Sequence, residues 1–230
     1  LGEDSAFMTL VEDSFWTLRL DPTRPIPLTL EEPEDFMYEM CGKILCGTIE
    51  ADKDRIAGRF RVYYADFESA ENHDVSAFEV LGTHQHTCEY AEAILGSNEA
   101  PFSERLQKLL GDEIWNFNFL ILDRVEILPK YRGGGIGLLV LISLIERFGA
   151  GAGVVGMKPF PLQLEPKQSR DSSAWAKRLR LEDLPRDAKM ATEKLKQYYE
   201  KLGFVRMRST PFMFRSMSWA LPSVEQLRSE

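Results

Sequence analysis

Residues 125–137 read Val-Glu-Ile-Leu-Pro-Lys-Tyr-Arg-Gly-Gly-Gly-Ile-Gly, and they decide the fold because they join a strand to a helix through glycines. Upstream, Phe117 to Ile127 is rich in aromatic and branched residues, the composition of a strand. Pro129 ends ladder pairing, and Gly133, Gly134 and Gly135 permit a tight turn. Ile136 to Phe148 is then apolar almost all round, with Glu146 and Arg147 near its end, which predicts a buried helix. A strand feeding a helix in this way aims free N–H groups and a positive dipole end at one point. That point suits a phosphate.

Two common phosphate-binding patterns fail on this stretch. A Walker loop needs a lysine after its glycines, and none follows here. The dinucleotide fingerprint Gly-x-Gly-x-x-Gly/Ala meets Leu138 when counted from Gly133 and Val140 when counted from Gly135. What remains is Arg132-x-x-Gly135-x-Gly137. Further on, Val154 to Met157 predicts a short buried strand ended by Lys158-Pro159-Phe160-Pro161. Pro185 opens a helical pattern with Ala188, Ala191, Leu195, Tyr198 and Leu202 at three- and four-residue steps, closed by Gly203, and Phe204-Val205 begins another strand.

The arginine–glycine motif resembles the acetyl-CoA signature of the Gcn5-related N-acetyltransferase (GNAT) superfamily. Tyr198-Tyr199-Glu200-Lys201-Leu202-Gly203-Phe204 resembles the Tyr-x-x-x-Gly-Phe end of that superfamily's last helix, and the order and separation of the two motifs agree. The resemblance covers roughly residues 116–220, and residues 1–115 carry no specific match. It implies an acyl-CoA N-acyltransferase fold of the α/β class, with a mixed, mostly antiparallel central sheet flanked by helices. Residues 1–221 are then one domain, made of a substrate-side half (1–115) and an acetyl-CoA-binding half (116–220), with a tail at 222–230. Strands, then helices over 75–110, then the Phe117–Ile127 strand depart from the commonest family order, so the helical insertion leaves the substrate side undetermined.

Composition is compatible with that class. A 230-residue chain can bury one substantial core, and 44% hydrophobic with 28% charged residues is ordinary for a globular protein. The longest apolar run, Leu138 to Ile142, is too short to span a bilayer, and no secretory leader opens the chain, although it begins at Leu1 rather than methionine. Cys41, Cys46 and Cys88 would leave an odd thiol if two were bridged, which favours free thiols and a cytoplasmic location. A net charge of −8 argues against a nucleic-acid partner and mildly favours a cationic one such as an amine. No membrane partner is expected, and the pattern leaves room for a homodimer.

Coarser readings complete the chain. Residues 1–35 are acidic and broken by Pro22, Pro25, Pro27 and Pro33, and periodicity leaves Phe7 to Leu20 as either helix or strand. Phe36 to Glu50 and Arg55 to Phe67 predict an antiparallel hairpin around Ala51-Asp52-Lys53-Asp54. Val75 to Leu110 predicts helix in two segments divided by Gly96-Ser97-Asn98. Gln163 to Arg180 predicts a loop with a short helix near Ala174, and Pro211 to Leu221 a final strand.

Acyl transfer from a thioester to an amine requires a gripped donor, a deprotonated amine, and stabilisation of the oxyanion and the leaving thiolate. The resemblance puts oxyanion and pantetheine contacts on backbone groups of Val125, Glu126 and Ile127. It puts the pyrophosphate of acetyl-CoA, a co-substrate, on the amides of Arg132, Gly133, Gly134, Gly135, Ile136, Gly137 and Leu138, with the Arg132 guanidinium adding charge. An alkylamine has a pKa of about 10.4 and must lose a proton. Asp123 and Glu126 are candidate bases; alternation puts Asp123 on the face of Ile121 and Val125, opposite Glu126. Tyr199 matches the family tyrosine, a phenol that can donate to the departing thiolate, while Tyr198 falls on the apolar stripe and is expected to pack. His84-Gln85-His86-Thr87-Cys88 suggests a metal, but a helix would turn His86 away from the other two, and no metal is expected.

The resulting expectation is an N-acetyltransferase in which a bound primary amine, small molecule or peptide, attacks the thioester directly. Two rivals remain: a non-catalytic acyl-CoA-binding sensor or assembly module, and an acetyltransferase acting on a macromolecule, either a protein amine or an aminoacyl-tRNA.

Overall fold

A seven-stranded sheet runs through both halves of the chain, in the order β1-β2-β3-β4-β5-β7-β6. The strands are β1 (Ser14–Leu20), β2 (Met37–Thr48), β3 (Arg55–Ala65), β4 (Asn118–Ile127), β5 (Ala152–Met157), β6 (Val205–Arg206) and β7 (Met213–Ser216). Every neighbouring pair is antiparallel except β4–β5, which is parallel. The fold is therefore α/β with a mixed sheet. This computed structural model describes residues 14–21, 28–48, 53–96, 102–111, 114–166, 174–223 and 226–227.

Helices cover both faces. On one face lie α1 (Phe67–Glu71), α2 (Ala77–Gly82), α3 (Gln85–Ile94) and α4 (Glu104–Leu110), which pack Phe67, Leu81, Tyr90, Ile94 and Leu106 against Tyr63, Phe119, Ile121 and Phe214. On the other lies α5 (Ile136–Phe148), with Leu141, Leu144 and Ile145 against Phe60, Val62, Leu120 and Val155. Two short-to-medium helices, α6 (Ala174–Leu179) and α7 (Ala188–Glu200), join the second core through Trp175, Leu179, Tyr198 and Tyr199. β4 is buried on both faces at Phe119–Leu122, as a central strand with a parallel neighbour must be. No helix among the described residues is long and apolar enough to cross a membrane.

Local chemistry sets most helix starts. Asp66, Ser76, Ser103 and Asp187 each accept a backbone N–H in the first turn of α1, α2, α4 and α7. At Ser76 the bond is reciprocal, since Glu79 reaches back to the Ser76 amide. α5 differs, because its N-cap is Gly135, which has no side chain to offer.

Several boundaries move from their expected places. The stretch 75–110 divides into three helices, because Thr83 and His84 interrupt it: the Thr83 hydroxyl turns back to the Val80 carbonyl, and His84 is the extended N-cap of α3. Phe36 closes a 3-10 turn at Pro33–Phe36, and Phe67 begins α1 behind the Asp66 cap. Only Met213–Ser216 of the expected last strand pairs with the sheet. Ser14–Leu20 is a strand on the sheet edge; residues 7–13, most of the β2–β3 turn and the Ser97-Asn98 separator lie outside the described residues.

Gly58 fixes how closely β3 approaches the far end of β4. A Cβ there would sit 2.2 Å from the Glu126 carbonyl oxygen and 2.7 Å from Ile44 Cδ1. Gly58→Ala must push the two strands apart, so it should lower unfolding stability by about 1–3 kcal/mol, the usual scale of overpacking. A denaturation midpoint equal to that of the wild type would contradict this close approach.

Candidate functional site

The parallel ladder of β4 and β5 joins Asn118–Ile121 to Ala152–Gly156 and then ends, although β4 continues to Ile127. Residues 122–127 keep β3 on one side and, among the described residues, have no strand on the other. A cleft of about 950 Å³ occupies the gap, which is at the upper end of the range of about 300–1,000 Å³ typical of small-molecule and cofactor sites. It is lined by β4 from Leu122 to Ile127, by the glycine turn and the start of α5, by the inner face of α7, and by the segments around Pro161 and Leu181.

A bulge re-aims the exposed part of β4. Arg61 pairs with Arg124 and Val62 with Leu122, so Asp123 is the extra residue with no partner on β3. Alternation therefore resets. Leu120, Leu122, Val125 and Ile127 join the core beside α5, while Ile121 belongs to the opposite core. The expectation that Asp123 and Ile121 share a face with Val125 fails at Val125, because one inserted residue reverses the parity of all that follow.

The two candidate bases have unlike surroundings. Glu126 is buried and both its oxygens are engaged: Trp175 Nε1 donates to Oε2 at 2.6 Å and Arg124 Nε to Oε1 at 2.7 Å. Arg124 also donates from Nη2 to Glu165 Oε2 at 3.0 Å, and these two carboxylates raise its pKa against the opposing effect of burial. Arg59 lies over the Trp175 ring, 4.3 Å from its centre. Glu126 is thus a fastening point between β4 and α6. Asp123 is less enclosed; Arg61 Nε donates to its Oδ2 at 2.6 Å, and His86 Nε2 lies 3.9 Å from its Oδ1.

The glycine turn presents a concentrated set of donors. Among the described residues, the amides of Gly133 to Gly137 make no hydrogen bond, while that of Leu138 turns back to the Gly135 carbonyl at 2.9 Å. Gly135 has φ 68°, the left-handed conformation that favours glycine. Gly133, Gly135, Ile136 and Gly137 line the cleft, whereas Gly134 and Leu138 are buried and do not. Arg132 is braced: Nε donates to the Ile127 carbonyl at 2.8 Å and Nη2 to the Leu179 carbonyl at 2.6 Å, and burial lowers its pKa. The guanidinium holds the turn, the end of β4 and α6 together, and it takes the Ile127 carbonyl expected to face a pantetheine.

Both tyrosines of α7 line the cleft, with rings 5.7 Å apart and edge to face. Tyr199 is half-buried, and that burial pushes its pKa up to about 12, which keeps the phenol protonated. Tyr198 does more than pack. Its hydroxyl stands 2.6 Å from where a Gly137 Cβ would be, and the Leu138 amide faces its oxygen.

The sequence reading passed over several cleft residues. Nothing in the strand pattern marks Arg61 or Arg124 for the cleft. Trp175 and Glu165 fall in Gln163–Arg180, expected to be a loop with a short helix near Ala174, and residues 181–184 match no expected element. His86, expected to pack at the surface or in the substrate cleft rather than hold a metal, lines the cleft; among the described residues no three His, Cys, Asp or Glu side chains gather around a common point. A helix start at Gln85, behind His84, was the available signal that His86 sits in a first turn. Compared with protein-family models, curated proteins and solved structures, the chain finds no match.

Two variants test this geometry. Glu126→Gln puts an amide nitrogen near one of two donors, so it should cost about 1–3 kcal/mol of stability, the scale for an unsatisfied buried polar group. An unchanged denaturation midpoint would remove Glu126 from its fastening role. Gly137→Ala should destabilise through its clash with the Tyr198 hydroxyl, and Tyr198→Phe should relieve that loss. The double-mutant cycle is expected to show coupling of about 0.5–3 kcal/mol, and additive effects would mean that the two groups do not touch.

Proposed function

We propose that the chain is an acetyl-CoA-dependent N-acetyltransferase of the Gcn5-related type, acting in the cytoplasm on a primary amine. The observation that carries this reading is a coincidence in space: one cleft holds both the unpaired edge of β4 and the uncapped N-terminus of α5. An extended amide-bearing arm such as pantetheine can hydrogen-bond to a free strand edge as an added strand would. A pyrophosphate at the end of that arm meets the unbonded amides of Gly133 to Gly137 and the positive dipole end of a 13-residue helix. The three unbridged thiols suit a reducing compartment.

In this reading the chain's residues divide the work. The amides of the turn hold the pyrophosphate, and the Tyr198 hydroxyl beside Gly137 adds a donor. Arg132 acts indirectly, by fixing the turn through the Ile127 and Leu179 carbonyls. The backbone of Val125 and Glu126 steadies the acyl carbonyl as it gains negative charge. Tyr199, with a pKa of about 12, holds its proton more firmly than a thiol does, so it serves the departing thiolate as a hydrogen-bond donor rather than by complete proton transfer.

A second reading is an acyl-CoA-binding module without turnover; the Arg132 guanidinium, engaged with carbonyls, braces the turn equally in both. Thiol release separates the two.

Saturating acetyl-CoA should raise the melting temperature, since a ligand that binds only the folded state stabilises it. Gly135→Val should abolish that shift. Across a panel of primary amines, Tyr199→Phe should lower kcat by about a hundredfold with little change in acetyl-CoA affinity, whereas Tyr198→Phe should weaken acetyl-CoA binding and spare kcat. No melting shift and no calorimetric binding would end the acetyltransferase reading.

A further inference from the structure

The strongest unexplained group in the cleft is His86. Its Nε2 is buried and has no hydrogen-bond partner among the described residues, and such an atom in a folded chain calls for a reason. The ring lines the cleft in which Asp123 also stands. It is held on one side by Tyr63, with ring centres 4.9 Å apart, and on another by His84 at 5.6 Å. Tyr63 is itself fixed by donating its hydroxyl to Glu39 Oε1 at 3.0 Å.

We propose that His86 accepts the proton of the acceptor amine, with Asp123, anchored by Arg61, as its positioning partner. The proposal rests on the acetyltransferase reading and names the base that reading lacks. Glu126 has a donor on each oxygen, and Asp123 has Arg61 on one. Among the described residues, His86 Nε2 and Asp123 Oδ1, 3.9 Å apart, are the acceptors left without a donor, and the neutral imidazole is the stronger base of the two. The ring borders the cleft and is held by packing, so an amine bound against it meets a base that Asp123 and Glu39 can stabilise once charged.

The electrostatics favour the same role. Burial holds His86 below its ordinary value near 6.5, and Arg61 and His84 act in the same direction. Asp123 and Glu39 oppose them. The groups facing the ring are thus Glu39 from β2, Arg61 and Tyr63 from β3, Asp123 from β4 and the adjacent His84. The imidazole is neutral near pH 7 and ready to accept, and once protonated it has two carboxylates nearby to stabilise it.

The step balances. An ammonium R–NH3+ gives one proton to His86 and becomes the free amine. The amine lone pair forms a C–N bond to the acyl carbon, and the C–S bond breaks with its electron pair on sulfur. The nitrogen sheds a second proton, which the thiolate takes up near the Tyr199 hydroxyl. The products are the amide and free coenzyme thiol, and His86 returns its proton to solvent.

The test has two readouts. Imidazole NMR of the 13C-histidine-labelled protein should show His86 titrating below 6.5, and Asp123→Asn should move it lower still by removing an attractive charge. A His86 that is protonated at pH 7, or one that Asp123→Asn leaves unmoved, overturns the positioning claim without any substrate. In thiol release from acetyl-CoA with a panel of alkyl primary amines, His86→Gln should lower kcat by about 10²–10⁴-fold and remove the wild type's fall in activity on acidification. Acetyl-CoA affinity measured by calorimetry should stay within about twofold, which also shows that the variant is folded. Equal kcat and an equal pH profile in wild type and His86→Gln would overturn His86 while leaving the acetyltransferase intact. A wild type that binds no acetyl-CoA would overturn the parent reading and this proposal together.

Discussion

Hydrogen bonding between β4 and β5 ends at Ile121 and Gly156, and the rest of the site is arranged around that ending. A parallel strand pair in the middle of a sheet would ordinarily run its full length, since each unpaired backbone group inside a protein is costly. Here the bulge at Asp123 adds a residue to β4 on its β3 side, which bends the strand and increases its local twist. β4 keeps its pairing to β3 and leaves β5. The open edge is then served by nearby groups, such as the Arg132 guanidinium on the Ile127 carbonyl, or left free along a cleft.

Charge in the cleft is mostly committed to structure. Arg61 holds Asp123, Arg124 holds Glu126 and Glu165, and Arg132 holds two carbonyls. Such pairs, partly buried and hydrogen-bonded, contribute more to fixing geometry than to net stability. They let an acidic chain line a pocket with arginines without presenting a broad basic surface. They also isolate His86, which packs among aromatic rings with an unbonded nitrogen. Ring packing fixes its position beside Asp123, and fixed geometry of this kind favours proton transfer.

The glycine turn and α7 meet more closely than their separate signatures suggested. The Tyr198 hydroxyl reaches the position where any residue larger than glycine at 137 would place its Cβ. Gly137 is therefore set by a neighbour from a distant helix, whereas Gly135 is set by its own backbone angle. Two glycines of one motif answer to two different constraints, and a sequence pattern cannot tell them apart.

The sequence by itself determined what depends on nearby residues. It placed α5 at Ile136–Phe148, the strand that feeds it, and the closure of α7 at Gly203, because apolar periodicity, capping chemistry and left-handed glycines act within a few positions along the chain. It also brought Asp123, the turn residues and Tyr199 forward as candidates, and all but Gly134 and Leu138 of those candidates line one cleft. Only the tertiary structure decided that β4 carries a bulge, that Glu126 is fastened to Trp175, and that His86 stands beside Asp123. The physical reason is that these depend on how two packed faces share out space and charge between segments far apart in sequence. A bulge changes no local propensity that a strand pattern records, and a histidine's role is set by what surrounds it, not by its place in the chain.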